Sequence, residues 1–175
     1  MDWRHPCSGV ASPYARPAPN DRKRVNYSVT PEPWDTEDGA RLRGMQRAEL
    51  DARYGSDDHE PGSAPTAEDI TFFVVARDVQ GMAVACGALR QLDVDSAEIK
   101  RMFVLPSHRG TGVAPAVLRS LEAEAVRLGL SVLKLETGTA QPDAIRFYER
   151  EGYKLIENFG PYAGEPLSVC YARPL

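Results

Sequence analysis

Two glycines and a basic residue lie together in one short turn, Arg109-Gly110-Thr111-Gly112, directly before a helical pattern. The first backbone N–H groups of a helix have no intrahelical partner, and the helix dipole adds partial positive charge at the same end. Glycine lets an anion approach the backbone because it has no Cβ, and Arg109 can add a charge-assisted hydrogen bond. The turn therefore predicts a phosphate-binding site. It is not a P-loop, because no Gly-Lys-Ser/Thr follows, and its glycine spacing differs from the dinucleotide-binding fingerprint.

The segments on either side of this turn predict a strand and a helix. Ala97 to Leu105 is short and apolar-rich and is closed by Pro106, which is typical of a strand. From Val113 to Leu128 the apolar residues recur at the spacing of one helix face, and Gly129 ends the helix. A strand thus leads into the turn, and the turn opens a helix.

Two segments resemble the diagnostic motifs of a known enzyme family. Residues 109–114 match R-x-x-G-x-A and resemble the acyl-CoA pyrophosphate loop of the GCN5-related N-acetyltransferases, the GNAT superfamily. Residues 139–153 resemble a second motif of that family, N-x-x-A-x-x-x-Y-x-x-x-G-F, with Gln141 where Asn is usual and Tyr153 where Phe is common. The change at position 141 weakens the expectation of a side-chain hydrogen bond there. The resemblance extends from about Val25 to Leu175.

The resemblance implies a mixed α/β fold. Its mostly antiparallel sheet of about seven strands would be splayed between the fourth and fifth strands and flanked by helices, with acetyl-CoA in the wedge. The sequence pattern independently predicts three consecutive strands, at 70–77, 82–92 and 97–105, as an antiparallel meander. A strand at 131–137, after the helix, predicts a parallel, right-handed crossover. The other predicted elements are a first strand at 25–30 broken by Pro31, helices at 37–54 and 143–151, and last strands at 153–157 and 166–172.

The resemblance also implies which residues bind the acetyl donor. The backbone of Met102, Phe103 and Val104 would pair with the pantetheine arm as an added strand, and one of these N–H groups would polarise the thioester carbonyl. The pyrophosphate would lie on the loop that opens the helix. The expected donor-binding residues are Met102, Phe103, Val104, Arg109, Gly110, Thr111, Gly112, Val113, Ala114 and Gln141.

The catalytic residues implied by the resemblance are Glu98 and Tyr148. Tyr148 would be the general acid to the coenzyme A thiolate, because a phenol with a pKa of about 10 stays protonated until a thiolate forms. Glu98 would be the general base, because an alkylamine must lose a proton. The alternatives are a packing role for Tyr148 and a structural hydrogen bond for Glu98. On the substrate side, Glu136 is a backup base or an ammonium anchor, and Tyr162 is expected to line the acceptor pocket.

Composition excludes several other classes of protein. The chain has 175 residues, a net charge of −4 and no apolar run long enough to span a membrane. The charge argues mildly against nucleic acid as a partner. The cysteines Cys7, Cys86 and Cys170 form no C-x-x-C pair, and the histidines are scattered, so we expect a cytoplasmic protein without a metal site. Residues 1–24 predict a flexible arm before a single domain at 25–175.

These observations predict an N-acetyltransferase that acts on a small-molecule amine. The loop at 55–69 contains Asp57, Asp58 and Glu60, which would attract a cationic acceptor unless the loop is simply solvated. The alternatives are acetylation of a protein or peptide amine, and a non-catalytic acyl-CoA-binding regulatory module. The presence of both Glu98 and Tyr148 argues against the last of these. A homodimer is expected only by analogy with the family.

Overall fold

The computed structural model describes residues 26–57 and 60–175. The strands are β1 (Ser28–Pro31), β2 (Phe72–Arg77), β3 (Ala83–Gln91), β4 (Ser96–Val104), β5 (Val132–Gly138), β6 (Lys154–Ile156) and β7 (Ser168–Pro174). The helices are α1 (Glu37–Tyr54), α2 (Val113–Arg127) and α3 (Pro142–Arg150). Two short 3-10 turns lie at Pro106–His108 and Gly160–Tyr162. The predicted arm and Val25 lie outside the described residues.

The strands form one seven-stranded sheet in the order β1-β2-β3-β4-β5-β7-β6. All neighbours are antiparallel except β4 and β5, which are parallel and joined by the crossover helix α2. The predicted meander is β2-β3-β4, in which each strand pairs with the next. The predicted fold class, mixed α/β with a mostly antiparallel sheet, is confirmed.

The parallel pair β4–β5 separates partway along its length. Pairing begins at Ser96 with Val132 and ends at Ile99 with Leu135. Beyond this point β4 continues to Val104 with pairing only to β3, while β5 continues to Gly138 with pairing only to β7. The two strands therefore open into a wedge, as predicted, and the edge of β4 inside the wedge has no strand partner among the residues that the structure describes.

Helix α2 packs its apolar face on the sheet at a glycine. Val117 and Leu121 are fully buried. A Cβ added to Gly87 of β3 would lie 2.8 Å from Val117 Cγ1 and 3.0 Å from Leu121 Cδ1. The absence of a side chain at Gly87 therefore lets α2 approach the sheet closely, which fixes the loop that precedes α2 next to the end of β4.

Some predicted boundaries differ from the observed ones. Pro31 was expected to break the first strand but is its last residue. Strand β1 lies at the edge of the sheet, so one side of it has no neighbouring strand. A proline, which lacks an N–H group, is therefore tolerated there. Strand β7 extends two residues past the predicted end at Ala172, because Arg173 and Pro174 still pair with β5.

Two further structural findings apply to the residues that the structure describes. Within residues 26–57 and 60–175 no helix is long and apolar enough to cross a membrane. In the same ranges no three His, Cys, Asp or Glu side chains come together as a metal site. Cys86 and Cys170 are buried free thiols.

Candidate active site

The wedge between β4 and β5 leads into two adjoining cavities. The larger, of about 600 Å³, lies between α1, the edge of β4, the loop before α2, and α3. The smaller, of about 100 Å³, lies deeper between β4 and β5. The donor-binding residues predicted from the sequence that line the larger cavity are Met102, Phe103, Val104, Arg109, Gly110, Gly112, Val113, Ala114 and Gln141. Thr111 instead donates its hydroxyl to the His108 carbonyl.

The loop before α2 has the geometry of an anion site. Gly110 and Gly112 have positive φ angles of 75° and 97°, which a residue with a Cβ rarely adopts. A Cβ on Gly112 would meet no atom within 4 Å, so this position opens toward the cavity. Val113 and Ala114 form the first turn of α2, where backbone N–H groups have no intrahelical partner. The residues present therefore fit a diphosphate group.

Backbone groups on the free edge of β4 face the larger cavity. The carbonyl oxygens of Met102 and Val104 accept hydrogen bonds from Gln46 Nε2 and Arg109 Nε, both at 3.1 Å. Leu105 N–H faces the other way and donates to Val84 of β3. Because backbone groups alternate along a strand, Met102 and Val104 present theirs to the wedge, whereas those of Phe103 face β3.

Gln46 is a site residue that sequence analysis missed. It lies on α1 between Leu42 and Leu50 at a spacing of four residues, on the face of the helix that points inward. Its Oε1 is buried and has no hydrogen-bond partner among the described residues. Gln46 lines both cavities. A polar residue within the apolar spacing was the signal that could have identified it.

Tyr148 lies at the junction of the two cavities. It lines both, and only 7% of its surface is exposed. Its hydroxyl donates to Met102 Sδ at 3.4 Å, a weak acceptor, and its ring packs edge-on against Tyr153. Burial raises the pKa of Tyr148 well above its ordinary value. The residue therefore both packs in the core and presents a protonated phenol to the wedge.

Glu98 is fully buried and lies behind the cavity wall. Its Oε2 accepts from Arg90 Nη2 at 2.6 Å, and its Oε1 accepts from Tyr162 Oη at 2.7 Å. Tyr162 is also fully buried and accepts from Lys100 Nζ at 2.8 Å. Of these residues Lys100 alone lines the smaller cavity. Glu98 and Tyr162 are thus connected to the cavity through Lys100, and their predicted catalytic and substrate-binding roles stay predictions.

Glu136 lies on the opposite wall of the smaller cavity, on β5. Its Oε1 accepts from Ser168 Oγ at 2.8 Å, and burial raises the pKa of its carboxyl group. Two residues further along β5, Gly138 lies where a Cβ would collide with the Tyr54 hydroxyl of α1. Glu136 and Tyr148 line the same cavity, Glu136 from β5 and Tyr148 from α3.

The remaining charged groups of the smaller cavity are Glu60, Lys100 and Arg101. Glu60 Oε2 is 2.8 Å from Arg101 Nη2, and Glu60 Oε1 is 3.5 Å from Lys100 Nζ. The sequence predicted that Glu60 attracts a cationic acceptor, but three cations of the chain, Arg47, Lys100 and Arg101, already lie within ion-pair distance of its carboxylate. The carbonyl of Asp57 accepts from Arg47, and Asp58 lies outside the described residues.

Comparison with known proteins assigns the family. The model of the acetyltransferase (GNAT) family matches residues 30–153. The chain belongs to the GNAT acetyltransferase family. It is an acyltransferase, and the resemblance inferred from the two sequence motifs is confirmed.

Relatives and solved structures agree with this assignment. The IAA acetyltransferase of Azospirillum brasilense is 41% identical over 109 residues, which covers 61% of this chain and 69% of that protein. A Klebsiella pneumoniae crystal structure assigned as an acyl-CoA N-acyltransferase is 34% identical with a TM-score of 0.72, covering 85% of this chain and 97% of that one. A GNAT acetyltransferase of Elizabethkingia anophelis with bound acetyl-CoA shares the fold at 16% identity and a TM-score of 0.63, covering 86% and 99%.

Proposed function

We propose that this acetyltransferase transfers an acetyl group from acetyl-CoA to the amine of a small molecule by direct attack. One observation carries the proposal. The larger cavity, with a loop that has the geometry of an anion site at one end, meets the smaller cavity at Tyr148. An acyl donor whose diphosphate lies on the loop would place its thioester near this junction, and the acceptor amine would enter from the smaller cavity.

Donor binding would use the backbone of β4 and α2. Diphosphate oxygens would accept from the N–H groups of the first turn of α2, with the helix dipole adding to the attraction. The amide groups of the pantetheine arm would pair with Met102 and Val104, whose backbone groups face the wedge. The Elizabethkingia neighbour that binds acetyl-CoA has the same fold, which supports the choice of donor.

The acceptor amine would attack the thioester carbonyl carbon, so that a C–N bond forms and the C–S bond breaks. The nitrogen loses a proton and the leaving thiolate gains one. Tyr148 would donate to the thiolate, because its raised pKa keeps the phenol protonated and its hydroxyl has only a weak thioether acceptor. Solvent would then restore both groups to their starting protonation.

We assign the proton-accepting role to Glu136 in preference to Glu98. Glu136 lines the smaller cavity, and one of its oxygens accepts from Ser168. Both oxygens of Glu98 already accept strong hydrogen bonds, from Arg90 and Tyr162, and the residue has no exposed surface. Glu98 would therefore act as a positioning residue that holds Tyr162 and Lys100 in place.

The smaller cavity, of about 100 Å³, has room for a small amine. The Azospirillum relative is named for a small molecule, as an IAA acetyltransferase, which supports a small-molecule acceptor. The deciding experiment is the release of coenzyme A thiol from acetyl-CoA in the presence of amines, amino acids and short peptides. Release that depends on small amines supports the proposal, whereas release with peptides alone would replace it by the peptide alternative. Donor binding without any transfer would favour a non-catalytic module.

A further inference from the structure

The cationic side chains of two adjacent β4 residues, Lys100 and Arg101, contact the same carboxylate, that of Glu60. Lys100 Nζ is 3.5 Å from one oxygen of Glu60, and Arg101 Nη2 is 2.8 Å from the other. Both cationic side chains are about nine-tenths buried, at 9% and 10% exposure. Consecutive residues of a strand normally project to opposite faces of the sheet. Their convergence on a single carboxylate therefore needs a local change in the backbone.

That change is found at Arg101. Its φ angle is 52°, and it is the one residue other than glycine with a positive φ among residues 26–57 and 60–175. The pairing of β3 with β4 also shifts register at the same place, between Cys86 and Ala88. Positive φ is unfavourable for a residue with a long side chain. Strained backbone of this kind concentrates at ligand-binding and catalytic sites.

On the β4 side of the cavity, three cations share two carboxylates. Glu98 is 2.6 Å from Arg90 Nη2 and 3.5 Å from Lys100 Nζ, and Glu60 contacts Lys100 and Arg101. Arg47, a further cation 3.7 Å from Glu60, lies closer to Asp51, at 3.0 Å. The β4 side therefore carries one positive charge in excess of its carboxylates, and the next carboxylate of the cavity, Glu136, lies on the opposite wall. Buried charges need a partner to offset the loss of water.

We propose that the acceptor carries an acidic group, a carboxylate or phosphonate, in addition to its amine, and that Arg101 and Lys100 bind this group. The inference rests on the proposed function and names its substrate class. The acidic group would lie at the β4 wall and the amine would point to Glu136 on the β5 wall, near Tyr148. Without an acceptor, the carboxylate of Glu60 contacts Arg101 and Lys100. The acidic group of the acceptor competes with Glu60 for these two cations.

The first test is binding by the wild-type protein, measured by calorimetry after saturation with coenzyme A. The probes are aminoethylphosphonate, β-alanine and ethylamine, which share a short amine and differ in the acidic group. We expect the two acidic amines to bind at least tenfold more tightly than ethylamine, because a hydrogen bond to a charged group is worth about tenfold to a hundredfold in affinity. Equal or tighter binding of ethylamine would overturn the inference.

Two variants with opposite expected effects separate recognition from loss of folding. Arg101→Gln removes one cation and should weaken binding of the acidic amines about tenfold or more, with little effect on ethylamine. Glu60→Gln removes the internal competitor and should tighten binding of the acidic amines several-fold. If Glu60 instead contacted the substrate amine, Glu60→Gln would weaken binding of all three probes, which would overturn the inference.

A charge-matched control is Arg127→Gln, at an exposed position of α2 that pairs with Glu124 outside both cavities. It should change none of the three affinities. Arg101→Lys should restore part of the preference for acidic amines. Absence of acetyl transfer to every amine would overturn the proposed function, whereas the binding series decides the preference for an acidic group without any turnover.

Discussion

The proposed general acid is the hydroxyl of Tyr148, which lies at the junction of the two cavities. Tyr148→Phe removes the hydroxyl and keeps the ring that packs on Tyr153. We expect kcat to fall about a hundredfold, the lower end of what general acid catalysis contributes, with little change in the Kd for acetyl-CoA. Steady-state kinetics and calorimetry measure the two quantities.

The control for this change is Tyr171→Phe. Tyr171 is also buried, and its hydroxyl donates to Glu149 outside both cavities. This variant should keep full turnover. Equal turnover of wild type and Tyr148→Phe would remove the general-acid role and leave Tyr148 as a packing residue.

With Glu136 as the proposed base, the reaction should depend on pH. Burial raises the pKa of its carboxyl group, so the base form is lost at a higher pH than for a free glutamate. We expect kcat/KM of the wild type to rise with pH through this raised pKa. Glu136→Gln should lower kcat about a hundredfold and remove this rise from the pH profile. Glu124→Gln, on α2, is the control. A Glu136→Gln profile that keeps the limb would return the base role to Glu98 or to water.

At this scale, residues that belong to motifs could be predicted from the sequence, whereas those that depend on three-dimensional detail could not. The loop glycines and Tyr148 were predicted because their spacing is fixed by one turn and one helix. Lys100 and Arg101 were missed because strand alternation places them on opposite faces, and only the positive φ of Arg101 brings them together. The surroundings of Glu98 depend on Arg90 and Tyr162, whose pairing with it has no local sequence signal.

At the scale of elements, the packing of α2 on β3 depends on Gly87. Gly87→Ala places a methyl group 2.8 Å from Val117 Cγ1, so the helix must shift or the side chains must leave their rotamers. We expect a loss of about 1–3 kcal/mol in the free energy of unfolding. Gly44→Ala, on α1, is the matched control, because its Cβ meets no atom within 4 Å. There we expect a gain of roughly 0.5–1 kcal/mol.

Urea unfolding of both glycine variants measures the two changes. A Gly87→Ala protein as stable as wild type would mean that the helix adapts without strain.

The order and type of the elements were predictable because each has its own hydrophobic period and its own Gly or Pro boundary. The ends of β1 and β7 were not, because the pairing of Pro31 and Pro174 depends on which strand lies next to them.

In the whole molecule, the sheet consists of two parts, β1–β4 and β5–β7, on either side of the wedge. Four residue pairs between β4 and β5, from Ser96–Val132 to Ile99–Leu135, join these parts. A donor in the larger cavity contacts α1, β4, α2 and α3 together and should stabilise the folded state. At a concentration a hundredfold above Kd the gain is about 2.7 kcal/mol, which corresponds to a rise of roughly 5–10 °C in Tm. Calorimetric scans with and without acetyl-CoA measure it. An unchanged Tm at saturation would contradict binding in the wedge.

The two cavities share part of one wall, which includes Gln46 and Tyr148. A donor that reorients these side chains changes the surface that the acceptor meets. Thermodynamic linkage then requires the acceptor to change donor affinity by the same factor. The four states of the enzyme, empty, bound to either substrate and bound to both, form a closed cycle with one coupling free energy. Gln46 Oε1 has no hydrogen-bond partner among the described residues, so this amide on α1 is a group that both substrates can contact and through which the coupling can pass.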